Sequence, residues 1–326
     1  MAQVTSITRP DQSCTVRVPA KVNLQLSVGP PRPDGYHDLV SVFHAVSLFD
    51  EVSVAKASRT SVGVSGEGAS SVPDGQGNLA VRAVAALAKA TGRRGATATG
   101  VRIEIRKRIP VAAGLAGGSA DAAAALVACN ELWQTGLSVS ELSELGASLG
   151  SDVPFALLGG TAVGLGRGEQ LTRALVTGSY HWVLAFGASG LATPDVYAAC
   201  DRLRAARAGR AAGASAAPPP ELDAGLMAAL RSGDPAAVGP LLSNDLQPAA
   251  LSLQPLLRRA LAAGKDHGAL GAIVSGSGPT CAFLAGDADA ASDLAVGITG
   301  AGVCRAVVQV TGPAPGASLI EGGAAV

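Results

Sequence analysis

The chain has 326 residues, with 25 basic and 25 acidic side chains, 42 glycines and only 3% aromatics. That length suits one large domain or two moderate ones, and the balanced charge, with no basic run or aromatic-interleaved basic face, excludes nucleic acid as the expected partner. No apolar run reaches the ~18–20 residues that cross a bilayer, and the polar start carries Asp11, so neither a membrane anchor nor a signal peptide is expected.

From the N-terminus, residues 15–28 alternate. Val22, Leu24, Leu26 and Val28 point one way and Lys21, Asn23, Gln25 and Ser27 the other, which predicts a half-buried strand. Lys21 on such a face is either solvated or part of a site. Residues 30–37 are dense in turn formers. Residues 40–46 and 51–54 read as strands, 78–89 as a helix, and 100–105 as a strand with Val101, Ile103 and Ile105 on one face.

The run Pro110-Val111-Ala112-Ala113-Gly114-Leu115-Ala116-Gly117-Gly118-Ser119-Ala120 then opens a long helix through Trp133, with Ala122, Ala125, Leu126, Cys129 and Leu132 on its buried side. Small residues let backbone N–H groups approach a ligand, and a helix start leaves several unpaired. The run is a phosphate cradle or a plain glycine-rich turn. It is no Walker A loop, because Ser119 follows Gly118 with no lysine between. Its glycine spacing is not that of a dinucleotide fingerprint either. Ser138 and Glu141 match a capping box for a helix with Leu142, Leu145 and Leu149 as its stripe, and Gly150 suits the stop. Directly after it stands Asp152, a turn or cap residue or a site carboxylate. Gly164-Leu165-Gly166-Arg167-Gly168 reads as a strand-end turn.

Residues 202–220 lose all periodicity and read as a flexible surface insertion. Beyond it the pattern predicts a helix at 254–263, strands at 272–274 and 280–284 flanking a turn at 275–279, a helix at 287–296 and a strand at 303–310. That is an α+β layer, and the tail from Gly312 reads as loose. The turn Ser275-Gly276-Ser277-Gly278-Pro279-Thr280 is an ordinary hairpin or a binding loop. Five scattered cysteines without a Cys-x-x-Cys pair, and histidines without His-x-x-x-His spacing, predict reduced thiols in a cytoplasmic protein and no zinc site.

Taken in order, Pro19-Ala20-Lys21-Val22-Asn23-Leu24, the 110–120 run, Gly150-Ser151-Asp152-Val153-Pro154-Phe155 and Ser275–Thr280 resemble the signature motifs and catalytic aspartate of the GHMP kinase superfamily. Arg32-Pro33-Asp34-Gly35-Tyr36-His37 and Asn78-Leu79-Ala80-Val81-Arg82-Ala83 are similar to segments of one branch. Its members phosphorylate the 2-hydroxyl of 4-diphosphocytidyl-2-C-methyl-D-erythritol in the non-mevalonate (methylerythritol phosphate) route to isoprenoid precursors. The resemblance runs from about Thr15 to Thr311. It implies an α/β (α+β) fold of two domains. An N-terminal ribosomal-protein-S5-domain-2-like, ATP-binding domain would span 1–172 and a ferredoxin-like C-terminal domain 173–326.

The same resemblance assigns roles. Lys21 and Asp152 would be catalytic, with Lys21 offsetting charge at the transferred group. Asn78, Lys107 and each residue from Pro110 through Val111, Ala112, Ala113, Gly114, Leu115, Ala116, Gly117, Gly118, Ser119 and Ala120 would hold ATP. Asn23, Tyr36, His37, Thr193, Tyr197, Ser275, Gly276, Ser277 and Gly278 would hold the acceptor, the aromatics by stacking on its base. Mg²⁺ would be carried by ATP oxygens and Ser119. The chain departs from the pattern at Ala116, where many relatives carry a third close glycine, and at Asp121, where relatives vary and an acid favours the helix dipole but repels phosphate. Homoserine- or mevalonate-type kinases are the near alternatives, with no base for Tyr36, His37 and Tyr197 to stack on. A non-catalytic ligand sensor is the distant one, and it would be expected to have lost Lys21 or Asp152. The expected assembly is a monomer or weak homodimer.

Overall fold

The computed structural model describes residues 13–210 and 219–320. The first alternating stretch forms β1 (Ser13–Pro31) and turns back into β2 (His37–Lys56), followed by β3 (Ser61–Gly66), α1 (Leu79–Ala90), α2 (Ala96–Thr99) and β4 (Val101–Lys107). Next come α3 (Gly117–Leu132), α4 (Val139–Ala147), α5 (Val153–Leu158), β5 (Thr161–Leu165) and β6 (Gln170–Arg173). The chain then runs through β7 (Tyr180–Phe186), α6 (Thr193–Arg210), α7 (Ala224–Ser232), α8 (Pro235–Val238), β8 (Ser243–Asn244) and α9 (Gln247–Leu253). It ends with α10 (Leu256–Asp266), β9 (Gly271–Val274), β10 (Cys281–Ala285), α11 (Ala288–Gly300), β11 (Ala306–Gly312) and β12 (Ser318–Leu319).

Among the described residues the strands make two sheets. The first has the order β12-β1-β2-β4-β3, with β5 and β6 extending from β2 and β8 parallel to β1; the second is antiparallel, β11-β7-β10-β9. The two short strands expected at 40–46 and 51–54 are one strand. Register shifts at Pro19/Ala20 and Asn23/Gln25 let β1 bend while its pairing with β2 continues. Residues 202–210, expected in a flexible insertion, complete α6, while 211–218 lie outside the described residues. The tail is tied down as far as β12, which pairs Val16 with Leu319 and Arg17 with Ser318. The second half of the chain thus returns to the first sheet twice, through β8 and β12.

α3 is buried on nearly every side, Ala120 through Leu126 without interruption, rather than along one stripe. It lies between the first sheet and α1, α4 and α5. Alanines suit that position because their small side chains let backbones approach closely. Alternation along β7 sends Tyr180, Trp182 and Leu184 into this core, while Val183 and Ala185 face a second core built with Phe283 and residues of α6 and α9–α11. The capping box is present as read, with Ser138 and Glu141 each bonded to the other's backbone N–H.

Candidate active site

A cleft of about 1080 Å³ opens where the polar face of β1 meets the loop before α3, the turn before α5 and the start of α6. Alternation predicted that this face is half exposed, yet Lys21 is only 6% exposed and Asn23 2%. The phosphate-type loop and the 275–279 turn close over them. Lys21 Nζ donates to Asn23 Oδ1 at 2.5 Å and to the Gly114 carbonyl at 3.0 Å, and lies 5.8 Å from the Phe43 ring centroid. Burial lowers its pKa, and the charge of Asp152 opposes that shift. The solvated reading of Lys21 is overturned. Asn23 is committed on both sides of its amide, since its Nδ2 donates to Ser41 Oγ at 2.8 Å.

The loop before α3 is strained where the sequence departs from glycine. Ala112 (φ 51) and Ala116 (φ 60) both sit in the left-handed region, at a cost of roughly 1–2 kcal/mol each. Ala116 occupies the N-cap of α3 without a side-chain bond to the helix. No side-chain oxygen there competes for the first N–H groups of α3, and Gly117, Gly118 and Ser119 line the cleft. A helix start of this kind binds anions through its unpaired donors and its dipole. Ser275 Oγ donates to the Gly114 carbonyl at 3.1 Å and Thr280 N donates to that of Ala113 at 3.3 Å, locking the two glycine-rich segments together. Ser277 Oγ is 3.0 Å from Thr193 Oγ1, which joins the turn to the start of α6.

Asp152 stands at the N-cap position of α5 and makes no side-chain cap bond, so the local-cap reading fails. Its carboxylate lines the cleft and has no hydrogen-bond partner among the described residues. Ser119 lines the same cleft, with Oγ 3.6 Å from where a Cβ would stand at Gly150.

At the far end the expected aromatics converge. His37 and Tyr197 have ring centroids 5.0 Å apart, and burial raises the Tyr197 hydroxyl pKa. His37 Nε2 pairs with Asp201 Oδ1 at 3.1 Å. Tyr36, 54% exposed, carries the Arg167 guanidinium 5.0 Å from its ring centroid.

Several expected ligands stand elsewhere. Asn78 caps α1, its Oδ1 accepting from Ala80 N at 2.9 Å and its Nδ2 donating to the Pro73 carbonyl, and it does not line the cleft. Lys107 lies beneath the loop, paired with Asp50 at 2.5 Å and Asp121 at 2.7 Å. Two carboxylates hold its ammonium there, and it does not line the cleft. Pro110, Val111, Leu115, Ala120, Ser275 and Gly278 belong to the same segments but do not line the cleft. Sequence reasoning missed Phe43, Arg82, Arg167 and Asp201, all of which line the cleft. Arg82 and Arg167 fall inside stretches already singled out, but Asp201 is 164 positions from its partner His37, and no local pattern marks it.

The GHMP kinases N terminal domain family matches residues 78–160 and the GHMP kinases C terminal family residues 226–303. Over 313 residues the chain is 55% identical to a 4-diphosphocytidyl-2-C-methyl-D-erythritol kinase of Mycolicibacterium gilvum, covering 95% of this chain and 94% of that one. The chain belongs to the 4-diphosphocytidyl-2-C-methyl-D-erythritol kinase family. A second member of that family, from Thermobifida fusca, is 54% identical over 316 residues, covering 94% and 98% of the two chains. A crystal structure of 4-(cytidine 5'-diphospho)-2C-methyl-D-erythritol kinase superposes with a TM-score of 0.70 at 34% identity, over 91% of this chain and 98% of that one. The homoserine kinase of Cytophaga hutchinsonii shares the fold nearly as closely, TM-score 0.69, at 19% identity. Fold alone therefore does not choose among acceptors; membership of the 4-diphosphocytidyl-2-C-methyl-D-erythritol kinase family rests on sequence identity.

Proposed function

We propose that the chain transfers the γ-phosphoryl group of ATP to the 2-hydroxyl of 4-diphosphocytidyl-2-C-methyl-D-erythritol, in the methylerythritol phosphate route to isoprenoid precursors. One observation carries the reading: Lys21 and an uncapped Asp152 share a cleft with a helix-start anion site at one end and a cluster of aromatics at the other. The helix start and loop hold the ATP phosphates by backbone donors. Asp152 accepts the proton of the acceptor hydroxyl as its oxygen attacks the γ-phosphorus, and the bond from that phosphorus to the β–γ bridging oxygen breaks to release ADP. Lys21 offsets the charge that develops on the transferred group. Asn23 positions Lys21, and His37, Tyr36 and Tyr197 take the cytosine.

Among the described residues no three His, Cys, Asp or Glu side chains gather as a metal site. The Ser119 hydroxyl and the Asp152 carboxylate are hard oxygen donors at the phosphate end, which suits Mg²⁺ arriving with the nucleotide and completing its shell from phosphate and water. When bound, the ion neutralises phosphate charge. The two domains divide near residue 172, and the enzyme works in the cytoplasm as a monomer or weak homodimer without nucleic acid or membrane.

The test is an ADP-release assay across the cytidine substrate, homoserine and mevalonate. Turnover is expected with the first alone, and turnover confined to another acceptor refutes the assignment. Asp152→Ala should lower kcat by about 10²–10⁴-fold with ATP affinity nearly intact; a rate close to wild type removes Asp152 as the base.

A further inference from the structure

The cleft is lined by three cations, Lys21, Arg82 and Arg167, and by two carboxylates, Asp152 and Asp201. Asp201 is taken by His37, and Lys21 is held by Asn23 and the Gly114 carbonyl. Neither Arg82 nor Arg167 has a carboxylate partner among the described residues. Arg82 extends from α1 on the side of the phosphate-type loop, three residues after Leu79, whose side chain packs toward Gly118. Arg167 stands at the aromatic end.

Arg167 comes from the glycine-rich turn between β5 and β6, a motif that phosphoryl transfer leaves without a role. The turn is built to present it. The Glu169 carboxylate accepts the Arg167 backbone N–H at 2.7 Å and so is spent on the main chain. The Gly166 carbonyl accepts from Leu39 N at 2.7 Å, fastening the turn to β2. A Cβ at Gly168 (φ 104) would stand 3.1 Å from Phe43 Cζ, so the turn sits tight against the cleft floor. The guanidinium lies over the exposed Tyr36 ring, a contact that holds it in one orientation without neutralising it.

Two phosphate-bearing substrates need two sets of positive charge. The helix start and loop serve one, and a nucleoside diphosphate whose base lies against His37 and Tyr197 carries its phosphates toward the other. We infer that Arg167 binds the diphosphate of the acceptor, its planar fork taking two phosphate oxygens while Tyr36 holds it in place. This inference rests on the proposed acceptor.

The test compares cytidine and cytidine 5'-diphosphate by calorimetric titration of wild-type protein, Arg167→Ala and Arg167→Lys, with the KM for ATP alongside. Wild type should prefer the diphosphate. Arg167→Ala should weaken the diphosphate about 10- to 100-fold and cytidine less than twofold, with the lysine variant between and the KM for ATP unchanged. Equal weakening of both ligands assigns Arg167 to propping Tyr36 and overturns the inference, as does no weakening of either. A wild type that binds cytidine 5'-diphosphate but turns over no cytidine substrate refutes the functional reading while leaving the arginine comparison decisive.

Discussion

Gly114 is the position at which the two glycine-rich loops touch. Its φ is 76, and a Cβ built there would run into the Ser275 carbonyl and stand 2.9 Å from Gly278 N. Its own carbonyl accepts from both Lys21 Nζ and Ser275 Oγ. One backbone unit thus sets the height of the catalytic ammonium proposed above and the spacing of the cleft walls. Gly114→Ala faces two penalties, a positive φ for a residue with a Cβ and a clash with backbone that cannot rotate away. The expected result is a fall in kcat/KM of about 100-fold, as for a misplaced reacting geometry, with a lower melting temperature. Activity and melting both within error of wild type would show that the loops are free to separate. At this scale the sequence was legible through motif order alone. Alternation along β1 puts Lys21 in water, because it cannot register what folds over a face from more than ninety residues away. The pairing of His37 with Asp201 is hidden for the same reason.

The loop before α3 is held from below by a joint of three elements. Asp50 on β2 accepts N–H groups from Arg108 at 2.6 Å and Ile109 at 2.9 Å, just past the end of β4, and pairs with Lys107. Lys107 also pairs with Asp121 in the first turns of α3. Burial works against the charged ammonium, but the two carboxylates outweigh it and raise the Lys107 pKa. Lys107 was expected at the nucleotide because motif order places it before the loop; the motif could not say which side of the backbone its side chain takes. Likewise α3 looked amphipathic, since a run of alanines carries no signal for how many sides will be covered, and the single long β2 looked like two strands because Ser47 and Asp50 interrupt its apolar pattern. Above about pH 7, where Asp121 is ionised, Lys107→Met should leave two buried carboxylates uncompensated and destabilise the fold by about 3–5 kcal/mol in urea unfolding. Lys107→Met combined with Asp121→Asn should regain part of that loss, because Asp50 keeps its two backbone donors. A double variant no more stable than the single one would place the loss in lost packing rather than in charge.

Across the whole molecule, two buried titratable groups give stability opposite pH slopes. His44 lies at the junction of the sheets, with Nδ1 2.8 Å from Thr161 Oγ1 and its ring against Tyr180 and Trp182. Burial lowers its pKa from 6.5 to about 3. The unfolded chain therefore binds a proton below 6.5 that the native state refuses, and stability falls by about 1.4 kcal/mol per pH unit as pH drops through that window. Asp121 runs the other way. Burial raises its pKa from 3.8 to about 7 despite Lys107, and its Oδ1 is buried with no partner. The native state holds a proton there that the unfolded chain releases, so stability from this group is full below 3.8 and is lost as pH rises through 7. Between about pH 4 and 6.5 the two slopes cancel, and below 4 only the His44 slope remains. Asp121→Asn isolates one of them, since asparagine has no charge to bury. In urea unfolding at a series of pH values, the stability of Asp121→Asn relative to wild type should climb by about 1 kcal/mol per unit from pH 4 to 7 and level off above it. A difference that stays flat across that range would mean that Asp121 is already ionised in the fold at pH 4, and that the Lys107 pair, not burial, dominates its surroundings.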